Sequence, residues 1–163
     1  MLLASQMEAG GHRITKEEIN LSELTIACIK DFIIRYPQRI FQEEVVGDIY
    51  IMGDRFLLQM AINNLIDNAI KYSPKNSVIS ILLYQQQKVI TLVIRDQGKG
   101  IEAAEKKKVF DKFYRIGNKA TKEAKGTGLG LYLTKKIALQ HDASIFVGDN
   151  TPTGSDFTIL FKV

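Results

Sequence analysis

The chain has 163 residues, 45% hydrophobic and 25% charged, with 22 Lys and Arg against 18 Asp and Glu. That composition fits one globular domain with a substantial core and excludes a disordered or fibrous chain. The basic excess favours anionic partners but falls short of a dedicated nucleic-acid binder, so no nucleic-acid partner is expected. Cys28 is the only cysteine, which rules out an internal disulfide or cysteine metal cluster and points to a reducing, cytoplasmic setting. No apolar run approaches the roughly 18 residues of a membrane span, and the start lacks a signal-peptide pattern, so the chain is not expected to be membrane-embedded.

In chain order, residues 1–9 read as the end of a helix that begins upstream and stops at Gly10-Gly11. Strand candidates at 13–21 and 39–46 flank a helix over 21–36. That helix places Leu21, Leu24, Cys28, Phe32 and Ile33 or Tyr36 on one face, with Ser22 as its cap and Pro37 ending it. Asp54 is positioned to cap a long helix that stops at Ser73-Pro74. Residues 78–84 and 88–95 are β-rich and joined by Gln85-Gln-Gln87, the pattern of a hairpin. A Lys-rich short helix near 102–109, a charged Gly-containing stretch and a helix over 129–141 follow. Strands over 144–147 and 156–163, separated by Thr-Pro-Thr-Gly154, close the chain.

The long helix carries Asn64-Leu-Ile-Asp-Asn68-Ala-Ile-Lys71-Tyr72. At about 100° per residue, Asn68 lies roughly 40° from Asn64, and Lys71 roughly 20° to the other side, so the three share one narrow stripe. Leu58, Ile62, Leu65, Ile66, Ala69 and Ile70 take the buried directions. Neutral amide oxygens suit a hard cation and an ammonium suits phosphate, the combination a magnesium nucleotide needs. The plainer alternative is two surface amides and a solvated lysine.

Asp96-Gln-Gly98-Lys-Gly100-Ile101 follows the second hairpin strand. A carboxylate at a strand end, with glycines that admit a ligand to the backbone, can accept a proton from an exocyclic amine such as adenine N6. The alternative is a tight turn with an Asp cap. Gly98-Lys-Gly100-Ile-Glu-Ala103 also imitates a dinucleotide fingerprint, which is rejected because a hairpin rather than a strand-helix-strand unit surrounds it. Gly126-Thr127-Gly128-Leu129-Gly130 opens the last helix, where unpaired N–H groups and the positive dipole end favour phosphate; the alternative is close packing alone. No Walker loop and no His-Arg-Asp kinase loop occurs. From Asp111 to Lys125, Lys112, Arg115, Lys119, Lys122 and Lys125 face Asp111 and Glu123. This stretch reads either as a basic lid over phosphates or as a solvated loop pinned by Phe110 and Phe113.

The order of asparagine helix, Asp-Gly-Gly turn, Phe110-Asp-Lys-Phe113-Tyr114-Arg115 and glycine-opened helix resembles the GHKL superfamily of ATP-binding domains. Within it, residues 110–131 resemble bacterial sensor histidine kinases. The resemblance implies a two-layer α/β sandwich of the Bergerat type, with a mixed sheet of about five strands and about three helices on one face. Residues 1–20 would be the end of a dimerisation hairpin and its linker, and 21–163 the ATP-binding catalytic domain. By the same resemblance Asn68 would hold Mg²⁺, and Asn64 would support metal and phosphates. Lys71 and Tyr72 would contact phosphates, and Arg115 the γ-phosphate. Asp96 would receive the adenine amine, Gly98, Gly100 and Ile101 would border the ring, and residues Gly126, Thr127, Gly128, Leu129 and Gly130 would shape the phosphate-facing turn. Thr158 would assist Asp96 through a water.

The implied activity is transfer of the γ-phosphoryl of ATP to a histidine on the parent's dimerisation and phosphotransfer domain, with a response regulator downstream and the parent anchored in the inner membrane. A related ATPase, or a nucleotide-binding module without transfer activity, is the alternative. An ATPase would need a carboxylate on the asparagine helix, and Asp67 sits about 100° from Asn68. Where the family commonly has His-Gly-Gly, this chain has His141-Asp142-Ala143, so Asp142 must adopt the left-handed cap or the cap is replaced. The family's phospho-accepting histidine is missing: His12 follows Gly-Gly, and His141 ends a helix. The chain alone is therefore expected to bind ATP without phosphorylating itself.

Overall fold

The computed structural model describes residues 2–10, 13–116 and 128–163. Its elements run α1 (Leu2–Glu8), β1 (Glu17–Asn20), α2 (Leu21–Arg35), β2 (Ile40–Val45), β3 (Tyr50–Gly53), α3 (Arg55–Tyr72), β4 (Val78–Gln86), β5 (Val89–Arg95), α4 (Gly130–Gln140), β6 (Ala143–Asp149) and β7 (Ser155–Lys162). Five strands form a mixed sheet in the order β2-β4-β5-β7-β6, with β2 parallel to β4 and every other pair antiparallel. Strands β1 and β3 pair as a separate small antiparallel sheet. This is the expected α/β sandwich.

Strand alternation sends Ile79, Ile81 and Leu83, Ile90, Leu92 and Ile94, and Phe157, Ile159 and Phe161 to one face, where they join Leu24, Cys28, Phe32, Leu58, Ile62, Leu65 and Ile66 in one buried core. Helices α2 and α3 therefore cover a single face of the sheet. Helix α4 lies along α3 and β6, and Met7 of α1 packs with Leu57, Ala61 and Ile137. The register puts Leu82, Val93, Thr158 and Phe146 together on the opposite face.

Local chemistry explains where expectation and structure part. Helix α2 is capped by Asn20, whose Oδ1 accepts the Glu23 N–H at 3.0 Å. Ser22 is inside the first turn, donating to Val46 O at 2.6 Å and accepting the Ile49 N–H at 3.1 Å. It ties a loop down rather than capping the helix. Ile33 is exposed, and Tyr36 stacks on Phe32. The first strand is shorter than 13–21 because only residues 17–20 find a partner, in β3. In place of a helix over 102–109 the chain makes turns ending in a short 3-10 segment, Lys108–Phe110, which buries Val109 and Phe110. Asp142 does take the left-handed conformation, at φ 54°, as an Asp can with little cost.

Both ends of α3 are pinned. At the start Asp54 accepts the Leu57 N–H on Oδ1 and the Thr15 N–H on Oδ2. Its own N–H donates to His141 Nε2 at 3.0 Å, while His141 Nδ1 lies 2.8 Å from Ile137 O. Nε2 accepts, so the ring is neutral with its proton on Nδ1, donated to that carbonyl. Burial pulls the His141 pKa below its ordinary 6.5, and nearby Lys16 adds to this, while Asp54, Asp142 and the Ile137 carbonyl oppose it. A depressed histidine pKa stabilises the fold above the unfolded value, and that contribution is lost as pH falls below 6.5 towards the folded value. In urea unfolding, the wild-type chain should exceed His141→Gln by about 1–2 kcal/mol at pH 7.5. The gap should shrink steadily towards pH 5; a gap independent of pH would contradict the neutral-ring assignment.

Candidate functional site

Asn64, Asn68, Lys71 and Tyr72 line one wall of a cavity of about 420 Å³ between α3, the turn after β5 and the start of α4. A volume of that size lies in the ordinary range for small-molecule sites. Asp96, Lys99, Gly100 and Ile101 form a second wall, Tyr114, Arg115 and Ile116 a third, and Gly128, Gly130 and Leu131 a fourth. The α3 face opposite the cavity carries Leu58, Ile62, Leu65 and Ile66, all fixed in the core. A rigidly packed helix thus presents its polar stripe to the cavity.

Asp96 is 3% exposed. Its Oδ1 accepts the N–H groups of Gly98 at 2.8 Å and Ser155 at 3.3 Å, and no hydrogen bond among the described residues uses Oδ2. The carboxylate is held through one oxygen while the other stays available to a donor in the cavity. Burial raises its pKa, the two N–H groups work against that, and Asp156 adds repulsion. The turn is braced from behind by Asn150 Nδ2 on Asp96 O at 2.9 Å and Thr153 Oγ1 on Gly98 O at 2.7 Å. Glycine at 98 is a packing requirement, because a Cβ there would stand 2.2 Å from Tyr72 O. Gly154 is similarly confined at φ 116°, with a Cβ reaching 1.9 Å from Asp96 O.

Helix α4 begins without a side-chain cap at Leu129, its first residues Gly130 and Leu131 line the cavity, and no hydrogen bond among the described residues takes its first N–H groups, an arrangement that favours an anion. A Cβ on Gly130 would meet nothing within 4 Å; the room belongs to the cavity. Asn64 Nδ2 donates to Gly130 O and Thr134 Oγ1, both at 3.4 Å, linking α3 to this helix start. Phe113, at φ 64°, donates its N–H to Gly128 O at 3.1 Å, and a Cβ on Gly128 would stand 2.7 Å from the Phe113 carbonyl carbon. The chain on the two sides of residues 117–127 is therefore pinched together at a strained residue. Gly126 and Thr127, and the basic residues Lys119, Lys122 and Lys125, lie outside the described residues.

Three expectations need correction. Thr158 pairs with Val93 and Phe146 on the sheet face away from the helices, while Phe157 points to the cavity. Strand alternation forbids Thr158 from reaching Asp96, and Ser155 takes that place. Leu129 is buried and does not line the cavity. Gly98 acts through its turn rather than by lining the wall. Lining residues given no site role from sequence are Lys99, Val109, Ile116, Leu131, Ser155 and Phe157, and Asp67 had been set aside as about 100° from Asn68. Asp67 lines the cavity and pairs with Lys71 Nζ at 3.0 Å; the i, i+4 spacing of opposite charges was the signal for it.

The site donors fit a magnesium nucleotide. No group of three or more His, Cys, Asp or Glu among the described residues could cage a metal. Mg²⁺ is usually held by few protein ligands plus substrate phosphates, so an amide oxygen such as that of Asn68 can complete its shell, while the Lys71 ammonium and the helix N-terminus suit the phosphates. No helix among the described residues is long and apolar enough to cross a membrane.

Comparison with known proteins agrees with this geometry. Residues 53–163 match the family model described as histidine kinase-, DNA gyrase B-, and HSP90-like ATPase. The sensor-like histidine kinase SenX3 of Mycobacterium tuberculosis is 40% identical over 114 residues, covering 69% of this chain and 28% of that protein. The heme sensor protein HssS of Staphylococcus saprophyticus is 34% identical over 168 residues, covering 99% of this chain and 35% of its own length. The chain thus spans about a third of these relatives or less. A solved structure of the mycobacterial sensor histidine kinase MprB superimposes with a TM-score of 0.80 at 29% identity, covering 91% of this chain and 97% of that one. The catalytic domain of histidine kinase ThkA gives a TM-score of 0.76 at 25% identity, covering 91% and 97%.

Gly98→Ala forces either the Asp96 turn or the end of α3 to move. ATP binding followed by calorimetry should weaken by about tenfold or more, some 1.4 kcal/mol. Undiminished affinity in a folded Gly98→Ala variant would show that the turn and the helix end need not sit this close.

Proposed function

Because the chain belongs to the histidine kinase-, DNA gyrase B- and HSP90-like ATPase family, we propose that its cavity positions Mg·ATP for γ-phosphoryl transfer to a histidine on a dimerisation and phosphotransfer domain of a longer parent. The observation that carries this reading is the convergence of Asn64, Asn68 and Lys71 with Asp96 on one cavity from separate elements. Asp96 Oδ2 accepts the adenine amine, and Gly100 and Ile101 border the ring. Asn68 holds the metal, supported by Asn64; Mg²⁺, when bound, neutralises phosphate charge and fixes the triphosphate's orientation. Lys71 and Tyr72 meet the phosphates, with Arg115 and the start of α4 on the terminal phosphate side.

The work of such a site is positioning and electrostatic stabilisation rather than covalent chemistry. Neither of the two histidines in the sequence suits the acceptor role: His141 has both ring nitrogens engaged, and His12 follows Gly-Gly. The acceptor is therefore supplied by another part of the parent, whose phosphohistidine passes its group to a response regulator. The parent is anchored in the inner membrane with this domain on the cytoplasmic side. An ATPase reading would ask Asp67 to activate water, yet its carboxylate is drawn to Lys71.

Titration with Mg·ATP should release or absorb heat with the unchanged chain, and Asp96→Asn and Asn68→Ala should each weaken binding by about tenfold or more, since one partner of a site hydrogen bond or ligand is lost. Incubated with labelled ATP and the separately produced histidine hairpin of the parent, the chain should label the hairpin and leave itself unlabelled. Free phosphate without labelled hairpin would mark an ATPase, and binding with neither product an inactive module.

A further inference from the structure

We propose that Arg39, outside the cavity, is a positioning residue that sets the last turn of α3 and thereby the phosphate-binding end of the site. Helix α3 ends at Tyr72, with Ser73 extended at φ −118° and ψ 151°. Such an end leaves several carbonyls without intrahelical partners. Arg39 supplies them. Its Nη1 donates to Pro74 O at 2.7 Å and Ser73 O at 3.5 Å, and its Nη2 to Ser73 Oγ at 2.5 Å and Ile70 O at 3.5 Å. Ser73 Oγ in turn donates to Ala69 O at 2.6 Å. One guanidinium and one hydroxyl thus gather four carbonyls, on both sides of Lys71 and Tyr72.

The guanidinium is itself held from a separate part of the fold. Arg39 closes the turn between α2 and β2, its N–H donating to Tyr36 O at 3.0 Å, while Tyr36 N–H donates to Phe32 O at 2.8 Å and the Tyr36 ring stacks on Phe32. The side chain is half-buried, its Nε is sealed from solvent without a partner, and burial lowers its affinity for its proton. A planar fork reaching several acceptors at once is the property that separates Arg from Lys. A cation at a helix C-terminus also complements the helix dipole.

The consequence falls on the site. Lys71 and Tyr72 lie between the carbonyls that Arg39 gathers, and both line the cavity. Tyr72 O forms the surface against which Gly98 is packed. If the last turn frays, Lys71 loses its fixed place opposite the phosphates and is left to its pair with Asp67. The Asp96 turn keeps its own braces from Ser155, Asn150 and Thr153. Loss of Arg39 therefore weakens contacts to the phosphates more than contacts to adenine.

The inference rests on the nucleotide reading of the cavity, and one titration series separates the two. Mg·ATP and adenosine are titrated by nuclear magnetic resonance into the unchanged chain, Arg39→Met and Arg39→Lys, at a temperature where the spectra show each folded. Arg39→Met is expected to weaken Mg·ATP by about fivefold or more and adenosine by less than about twofold, the scale of a misplaced contact rather than a lost domain. Arg39→Lys keeps the charge but cannot span the acceptors, so it too should lose affinity for Mg·ATP, to a smaller degree; it decides the matter if Arg39→Met fails to fold. Wild-type affinity for Mg·ATP in either folded variant, or equal losses for Mg·ATP and adenosine, would overturn the role of Arg39 while leaving the nucleotide site standing. No binding of either ligand by the unchanged chain would overturn both.

Discussion

Everything in the site hangs on α3 having two unlike faces and two anchored ends. Leu58, Ile62, Leu65 and Ile66 are buried against the sheet, so the helix cannot rotate without exposing apolar surface, at roughly 1.5–3 kcal/mol per side chain. Rotation and translation are both blocked. Asp54 and His141 fix the first turn, and Arg39 and Ser73 fix the last. The asparagine stripe is thereby held in place by the helix, with Asn64 further tied to Gly130 and Thr134 of α4.

The wall around Asp96 uses another economy. Asp96 sits where β5 ends, and the neighbouring strand β7 begins at Ser155, so the sheet's own geometry delivers a backbone N–H to one carboxylate oxygen. Glycines at 98 and 154 let the turn, the loop before β7 and the end of α3 approach each other to distances no side chain permits. Desolvation makes the carboxylate reluctant to ionise, and the two N–H groups counter this. The balance leaves a buried acceptor aimed by covalent neighbours rather than by flexible side chains.

Among the charged residues that line the cavity, cations outnumber acids. Lys71, Lys99 and Arg115 stand against Asp96 and Asp67, the second of which holds Lys71 at 3.0 Å. An ion pair at this half-exposed position is worth little by itself, so a multiply charged phosphate can displace it. Glu8 of α1 pairs with Lys112 and Tyr132, on either side of the residues that line the cavity. The upstream helix thus touches the same region that carries Arg115.

Sequence alone determined the periodic parts of this protein. The stripe of Asn64, Asn68 and Lys71, the core positions of α3 and the strands β4, β5 and β7 were legible because helix and strand periods are local properties. The family resemblance singled out most of the residues that line the cavity. Even the departure at Asp142 followed, since a left-handed cap is a matter of one residue's φ. What only the tertiary structure decided depends on partners far apart in the chain. Thr158 was misplaced because a strand's pattern does not say which face looks towards the helices, and Ser155 was missed for the same reason. Asn20 rather than Ser22 caps α2 because Ser22 is claimed by Val46 and Ile49. Arg39, 31 to 35 residues from the carbonyls it gathers, could not be found by any local rule, since nothing in a sequence window records which helix end a folded chain will bring within reach of a guanidinium.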